Sequence, residues 1–166
     1  MKVWVLIPAY NEAARIGPFL EELNKKDVSV LVIDDGSSDR TYDIAREKAD
    51  IALRNEKNIG KGVSLKTAIA FLLANINFDY IITMDADGQH SPCDIDSFLK
   101  EADNNAAFVI GNRMNNPCGM PKLRVITNKL MSFMLSKMVR QKIPDSQCGF
   151  RLIKREVLER LTIETN

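Results

Sequence analysis

Three short apolar runs, at residues 3–7, 28–33 and 80–84, each give way to polar, acid-bearing loops and then to segments of helical period. The runs lack the alternation of a half-buried strand, so both of their faces must be covered. Strands of that kind, separated by helices, pack as a largely parallel sheet with helices on both faces, an α/β domain. The pattern predicts strands at 3–7, 28–33, 51–53, 80–84 and 108–111. Helices are expected at 11–24, 38–49, 62–75, 91–103 and 123–139, with a further one starting near Lys154. Asn11 and Ser38 are placed as N-caps, and Ser91-Pro92 as an N-cap with proline at the first helical position. No repeat, low-complexity stretch or linker interrupts the chain, which reads as one domain over residues 1–166.

Composition narrows the function. Lysine and arginine nearly balance aspartate and glutamate, giving a net charge of +1, which argues against a protein that coats nucleic acid. No apolar run approaches the ~20 residues that cross a bilayer. The first run is too short for a signal-peptide core, so a cytoplasmic location is expected. Cys93, Cys118 and Cys148 are widely spaced and form no CxxC pair, which favours reduced thiols over a disulfide framework or zinc site.

In a parallel α/β sheet, ligands bind beyond the carboxyl ends of the strands. The unusual residues lie there: Pro8-Ala9-Tyr10-Asn11-Glu12, Asp34-Asp35-Gly36-Ser37 and Asp85-Ala86-Asp87. An Asp-x-Asp pair should occur about once by chance in a chain with 13 aspartates. Asp94 and Asp96 form such a pair in the first turns of a helix, where acids suit the dipole, and read as structural. Asp85 and Asp87 stand at the mouth of a buried strand. With the Gln89 amide they offer hard oxygen ligands, suited to Mg²⁺ or Mn²⁺; the competing reading is a solvated loop. Asp35 is open to two readings, ordinary turn chemistry or a hydrogen-bond acceptor for a base or ribose. Lys61, between Gly60 and Gly62 ahead of a helix, lacks P-loop spacing but can face a diphosphate. Residues 121–142 carry six basic residues and no acid. The plain reading is a helix packed on the sheet with a basic solvent face, and the alternative is a surface that meets anionic lipid head groups.

Together these segments resemble the family 2 glycosyltransferases of the GT-A fold, in the branch of dolichol-phosphate mannosyltransferase and bacterial polyprenyl-phosphate glycosyltransferases. The resemblance rests on six stretches in order: IPAYNE (7–12), VIDDGSSDRT (32–41), NIGKG (58–62), MDADGQH (84–90), GNR (111–113) and DSQCGFR (145–151). It implies a nucleoside pocket built from Pro8, Tyr10, Glu12 and Asp35. It implies that Asp85, Asp87 and Gln89 place Mg²⁺ or Mn²⁺ on the diphosphate of a UDP- or GDP-sugar. Arg113, Arg124 and Asn128 match positions that in relatives meet the acceptor phosphate or the departing diphosphate. The implied reaction inverts the anomeric centre, and Asp145 is the candidate to take a proton or orient the acceptor. A polyprenyl phosphate at the cytoplasmic membrane face is the expected acceptor, with peripheral contact to the membrane or a membrane subunit. A glycan hydroxyl acceptor and a non-catalytic nucleotide-sugar-binding module are the rival readings. Members of this branch generally continue beyond the GFR motif, so the domain is expected to extend past Asn166.

Overall fold

The computed structural model describes residues 1–86, 94–112 and 122–160, the side chains of 122–124 excepted. Among these residues six strands form one sheet in the order β3-β2-β1-β4-β6-β5. β1 (Val3–Ala9), β2 (Ser29–Asp34), β3 (Ile51–Arg54) and β4 (Tyr80–Thr83) run parallel. β6 (Arg151–Lys154) lies antiparallel between β4 and β5 (Phe108–Ile110). The sequence pattern predicts a helix near Lys154 and no strand before it. The structure corrects this: Arg151–Lys154 is β6, and α6 (Arg155–Arg160) follows at once. Pairing of Ile81 with Ile153 and of Val109 with Leu152 holds this short segment extended.

The strands bury both faces, as their unbroken apolar character requires. Val5, Ile7, Val30, Val32 and Ile82 face α1 (Ala13–Leu23), α2 (Thr41–Lys48) and α4 (Ile95–Asp103). Leu6, Leu31, Ile33 and Ile81 face α3 (Lys61–Asn75) and α6. Leu20, Leu72 and their strand partners are fully buried, and each such side chain stabilises the fold by about 1.5–3 kcal/mol before conformational entropy is counted.

Two cap assignments change. Asn11 adopts a left-handed φ of 54° and caps no helix; its Oδ1 accepts from the Ser38 N–H at 3.0 Å. The start of α1 is satisfied by its neighbour instead. Thr41 Oγ1 accepts from the Glu12 N–H at 2.8 Å, and Asp39 Oδ2 from the Ala13 N–H at 3.1 Å. Ser38 likewise does not cap α2; Asp39 Oδ1 accepts from the Thr41 N–H at 2.9 Å. Ser91 and Pro92 lie outside the described residues. Asp96 pairs with Lys26 at 2.7 Å in the first turn of α4, in keeping with a structural role.

The largest correction concerns α5 (Lys122–Val139). It does not lay its apolar stripe on the sheet. Among its described side chains the buried ones are Asn128 and Ser132, whereas Ile126, Leu130, Phe133, Met134 and Met138 are exposed, Met138 to 80%. The reason lies in the partner. The loop at 143–146 offers polar groups, and a helix meeting it must turn polar residues inward.

Candidate functional site

β1 and β2 end side by side, with Ala9 opposite Asp34, and the loops beyond them are bound together. The Asp35 N–H donates to the Ala9 carbonyl at 2.8 Å, and the Asn11 N–H to Ser37 Oγ at 2.9 Å. Asp34 is fully buried and held by Arg54, whose Nε lies 3.2 Å from Oδ2. The same guanidinium donates to the Ser37 carbonyl and sits 5.1 Å above the Tyr42 ring. Gly36 has φ 71°, and a Cβ there would come within 2.4 Å of the Lys57 backbone. Only glycine lets the 55–60 loop cross the end of β2 so closely.

Asp35 secures that loop. Its Oδ1 accepts from Asn55 Nδ2 at 2.9 Å and the Ile59 N–H at 3.0 Å, and its Oδ2 from the Gly60 N–H at 2.9 Å. Burial pushes the carboxyl pKa up, but hydrogen bonds from Ile59, Asn55, Ser64 and Gly60 outweigh it and leave the group below its ordinary range. Most of the accepting capacity of Asp35 is thus directed to the protein. Asn55 and Ser64, joined at 2.9 Å, complete this cluster and carried no signal in the sequence.

The fastened loop delivers Lys61. Gly60 turns at φ 92°, α3 begins, and Lys61 Nζ reaches Asp85 Oδ1 at 2.5 Å. Asp85 stands beyond the end of β4 and packs against Gly149. A Cβ at position 149 would lie 2.6 Å from Asp85 Oδ2, so this glycine is the cradle in which the carboxylate rests. Thr83 Oγ1 donates to the Gly149 carbonyl at 2.7 Å and holds the two segments together.

These elements enclose an open cavity of about 340 Å³ lined by Pro8, Tyr10, Glu12, Asp35, Lys61 and Asp85, among others. The structure therefore brings together all six described residues expected at a nucleotide. Tyr10 is half exposed at the rim, and Glu12 is tethered to Arg15 at 3.4 Å. Asp87, Gln89 and Arg113 lie outside the described residues, as does the side chain of Arg124. Among the described residues no three His, Cys, Asp or Glu side chains converge. Of the residues expected to hold a cation only Asp85 is described; it brings one hard oxygen donor to the cavity, and its Oδ1 is paired with Lys61.

Asp145 and Asn128, expected in separate roles, meet directly. Asn128 Nδ2 donates to Asp145 Oδ1 at 2.6 Å, and both side chains are buried. Ser132 Oγ accepts from the Ser146 N–H at 2.9 Å and lies 3.2 Å from Asn128 Oδ1. Ser136 Oγ accepts from the Ile143 N–H at 2.8 Å. α5 is thus fixed to the loop that continues through Gly149 to Asp85.

The family model for glycosyl transferase family 2 matches residues 4–162. The chain belongs to this family. It is 39% identical over 93% of its length to an uncharacterized protein of Methanocaldococcus jannaschii, 72% of which is covered. It is 29% identical to the UDP-N-acetylglucosamine–dolichyl-phosphate N-acetylglucosaminyltransferase of Methanococcus voltae, covering 96% of this chain and 72% of that one. Among solved structures it is similar to glucosyl-3-phosphoglycerate synthase of Mycobacterium tuberculosis, solved with Mn²⁺ and UDP. That match has a TM-score of 0.71 at 20% identity, spanning 96% of this chain and 59% of the synthase. The six-stranded sheet flanked by helices is the GT-A fold of such neighbours.

Proposed function

We propose that the domain transfers a sugar from a UDP- or GDP-sugar to a polyprenyl phosphate at the cytoplasmic face of a membrane. The cavity carries this reading: a tyrosine and a glutamate at its rim, a lysine at a helix N-terminus and an aspartate beyond a strand, in a family of glycosyltransferases. Tyr10 offers a face for the base, Pro8 an apolar wall and Glu12 an acceptor for base or ribose donors. Asp35 shapes the wall through Ile59 and Gly60. Lys61 faces the diphosphate. Asp85, with Asp87 and Gln89, would hold Mg²⁺ or Mn²⁺, which when bound supplies positive charge against the leaving diphosphate.

The reaction is an inverting displacement. An acceptor phosphate oxygen forms a bond to the anomeric carbon as the bond to the nucleoside diphosphate breaks, and the electron pair leaves with the diphosphate. A phosphate acceptor is already anionic at neutral pH and needs no strong base. Asp145, buried and bonded to Asn128, is then suited to orient the acceptor side, while Lys61 opposes the charge growing on the leaving group. Arg113 and Arg124 are the candidates for the acceptor phosphate. The names of relatives support the acceptor class, since one acts on dolichyl phosphate and another on undecaprenyl phosphate.

The test supplies a radiolabelled UDP-sugar or GDP-sugar, Mn²⁺ and a polyprenyl phosphate. Label should pass into an organic-extractable product and stay in water when the lipid is omitted. Label appearing instead in an aqueous glycan would favour the hydroxyl-acceptor reading. Nucleotide binding without transfer to either would leave a binding module.

A further inference from the structure

A buried carboxylate beside a guanidinium is ordinarily a matter of stability, and any cation within reach would answer the charge. Arg54 and Asp34 go further than that. They stand opposite each other at the ends of β3 and β2. Asp34 is fully buried, whereas the Arg54 side chain is half exposed and is not among the residues that line the cavity. The guanidinium is nevertheless fixed at three points. Its Nε lies 3.2 Å from Asp34 Oδ2, its Nη2 donates to the Ser37 carbonyl at 2.9 Å, and its carbon sits 5.1 Å from the centre of the Tyr42 ring. Neutralising Asp34 needs only the first of these. The other two set the plane of the fork and tie it to the main chain beyond β2.

That stretch of main chain supports the nucleoside end of the cavity. Ser37 Oγ accepts from the Asn11 N–H at 2.9 Å, and Asn11 Oδ1 accepts from the Ser38 N–H at 3.0 Å. Asn11 stands between Tyr10 and Glu12, both of which line the cavity, and these bonds hold it at its left-handed φ of 54°. A displacement of Ser37 therefore reaches Tyr10 and Glu12 through a single residue. Asn55, next after Arg54, grips the same turn from its other end. Its N–H donates to the Asp34 carbonyl at 2.9 Å and its Nδ2 to Asp35 Oδ1 at 2.9 Å. The end of β3 is thus a clamp on the turn that carries Asp35.

We propose that Arg54 is a positioning residue for the nucleoside of the donor: it touches no ligand, and it sets nucleotide affinity by holding Ser37 against the Tyr10–Glu12 loop. The inference rests on the nucleotide-sugar reading of the cavity.

Calorimetric titration with UDP and with GDP, each with Mn²⁺, tests it, alongside urea unfolding of every variant. Arg54→Lys separates the two roles, because an ammonium can still answer Asp34 but lacks the planar fork that also reaches Ser37. It should unfold near the parent's midpoint and bind the parent's nucleotide about tenfold more weakly. Asp34→Asn with Arg54→Met removes the buried charge together with its partner and should show a similar loss of affinity in a folded chain. In the labelled-transfer assay, the donor KM of Arg54→Lys should rise by the same factor, with kcat and the acceptor KM unchanged. Parent-like nucleotide affinity in either folded variant overturns the inference, since Arg54 would then only neutralise Asp34. So does a rise shared equally by donor and acceptor KM, which marks a loosened fold. A parent chain that binds neither nucleotide overturns the reading of the cavity, and the role of Arg54 falls with it.

Discussion

At the cavity, buried polar groups are answered from several segments: Asp35 takes the Ile59 and Gly60 N–H groups and the Asn55 side chain, Arg54 holds Asp34, and the loops beyond β1 and β2 exchange bonds at close range. At α5, buried polar groups are answered by side-chain and backbone groups of one distant loop, and the apolar residues are sent outward. The two regions meet through residues 145–149, which carry Asp145 at one end and the Asp85 cradle at the other. The contrast teaches that a site can be rigid on both sides for opposite reasons. One side is a loop cluster tightened by glycines and carboxylates. The other is a helix turned inside out, stable as long as its polar stripe keeps its partners.

The comparison can be broken most forcefully at Gly36. Gly36→Ala combines a left-handed φ with a Cβ 2.4 Å from the Lys57 backbone and should cost roughly 3 kcal/mol or more, read from urea unfolding. Next comes the buried pair on the other side. Asn128→Ala leaves Asp145 without that donor and should lower stability by about 1–3 kcal/mol, with a larger loss of acceptor use than of nucleotide affinity by calorimetry. Gly149→Ala should weaken Mn²⁺-dependent nucleotide binding roughly tenfold or more by displacing the Asp85 carboxylate, a shift of at least ~1.4 kcal/mol. Met134→Gln, on the exposed face, should change stability by less than about 0.5 kcal/mol.

Acid sharpens the same contrast. The Asp35 carboxyl titrates below its ordinary value of 3.8, so its contribution is complete above that pH and is lost as pH falls through the depressed folded value. Asp39 is shifted the same way: burial raises it, but hydrogen bonds from the Thr41 side chain and from backbone N–H groups prevail. Stability measured by denaturant at falling pH should therefore drop most steeply below about pH 4, from the usual aspartate range. Asp35→Asn should flatten that limb.

The alternating strands and helices were legible because β1, β2 and β4 carry unbroken apolar runs that only a covered sheet accommodates. β6 was not. Arg151–Lys154 shows no period over four residues, and what makes it a strand is pairing with β4 and β5 from far along the chain. The cavity residues were legible by position, since ligands gather beyond strand ends, and Tyr10, Glu12, Lys61 and Asp85 do line one space. Their supports were hidden: Asn55, Ser64 and Gly149 act through contacts that no local pattern announces. In α5 the helical period revealed two stripes, but which one faces the protein was decided by Asp145, Ser146 and the Ile143 backbone.

The reversed strand also sets an order of assembly. β1 to β4 pair among themselves, so a four-stranded sheet can close while the rest of the chain is still emerging from the ribosome. β5 cannot join it, because its ladder is with β6, made last. The segment that completes the sheet edge is the one that carries Gly149 to Asp85. A nascent chain halted before Arg151 would own most of a core and no fixed seat for the Asp85 carboxylate.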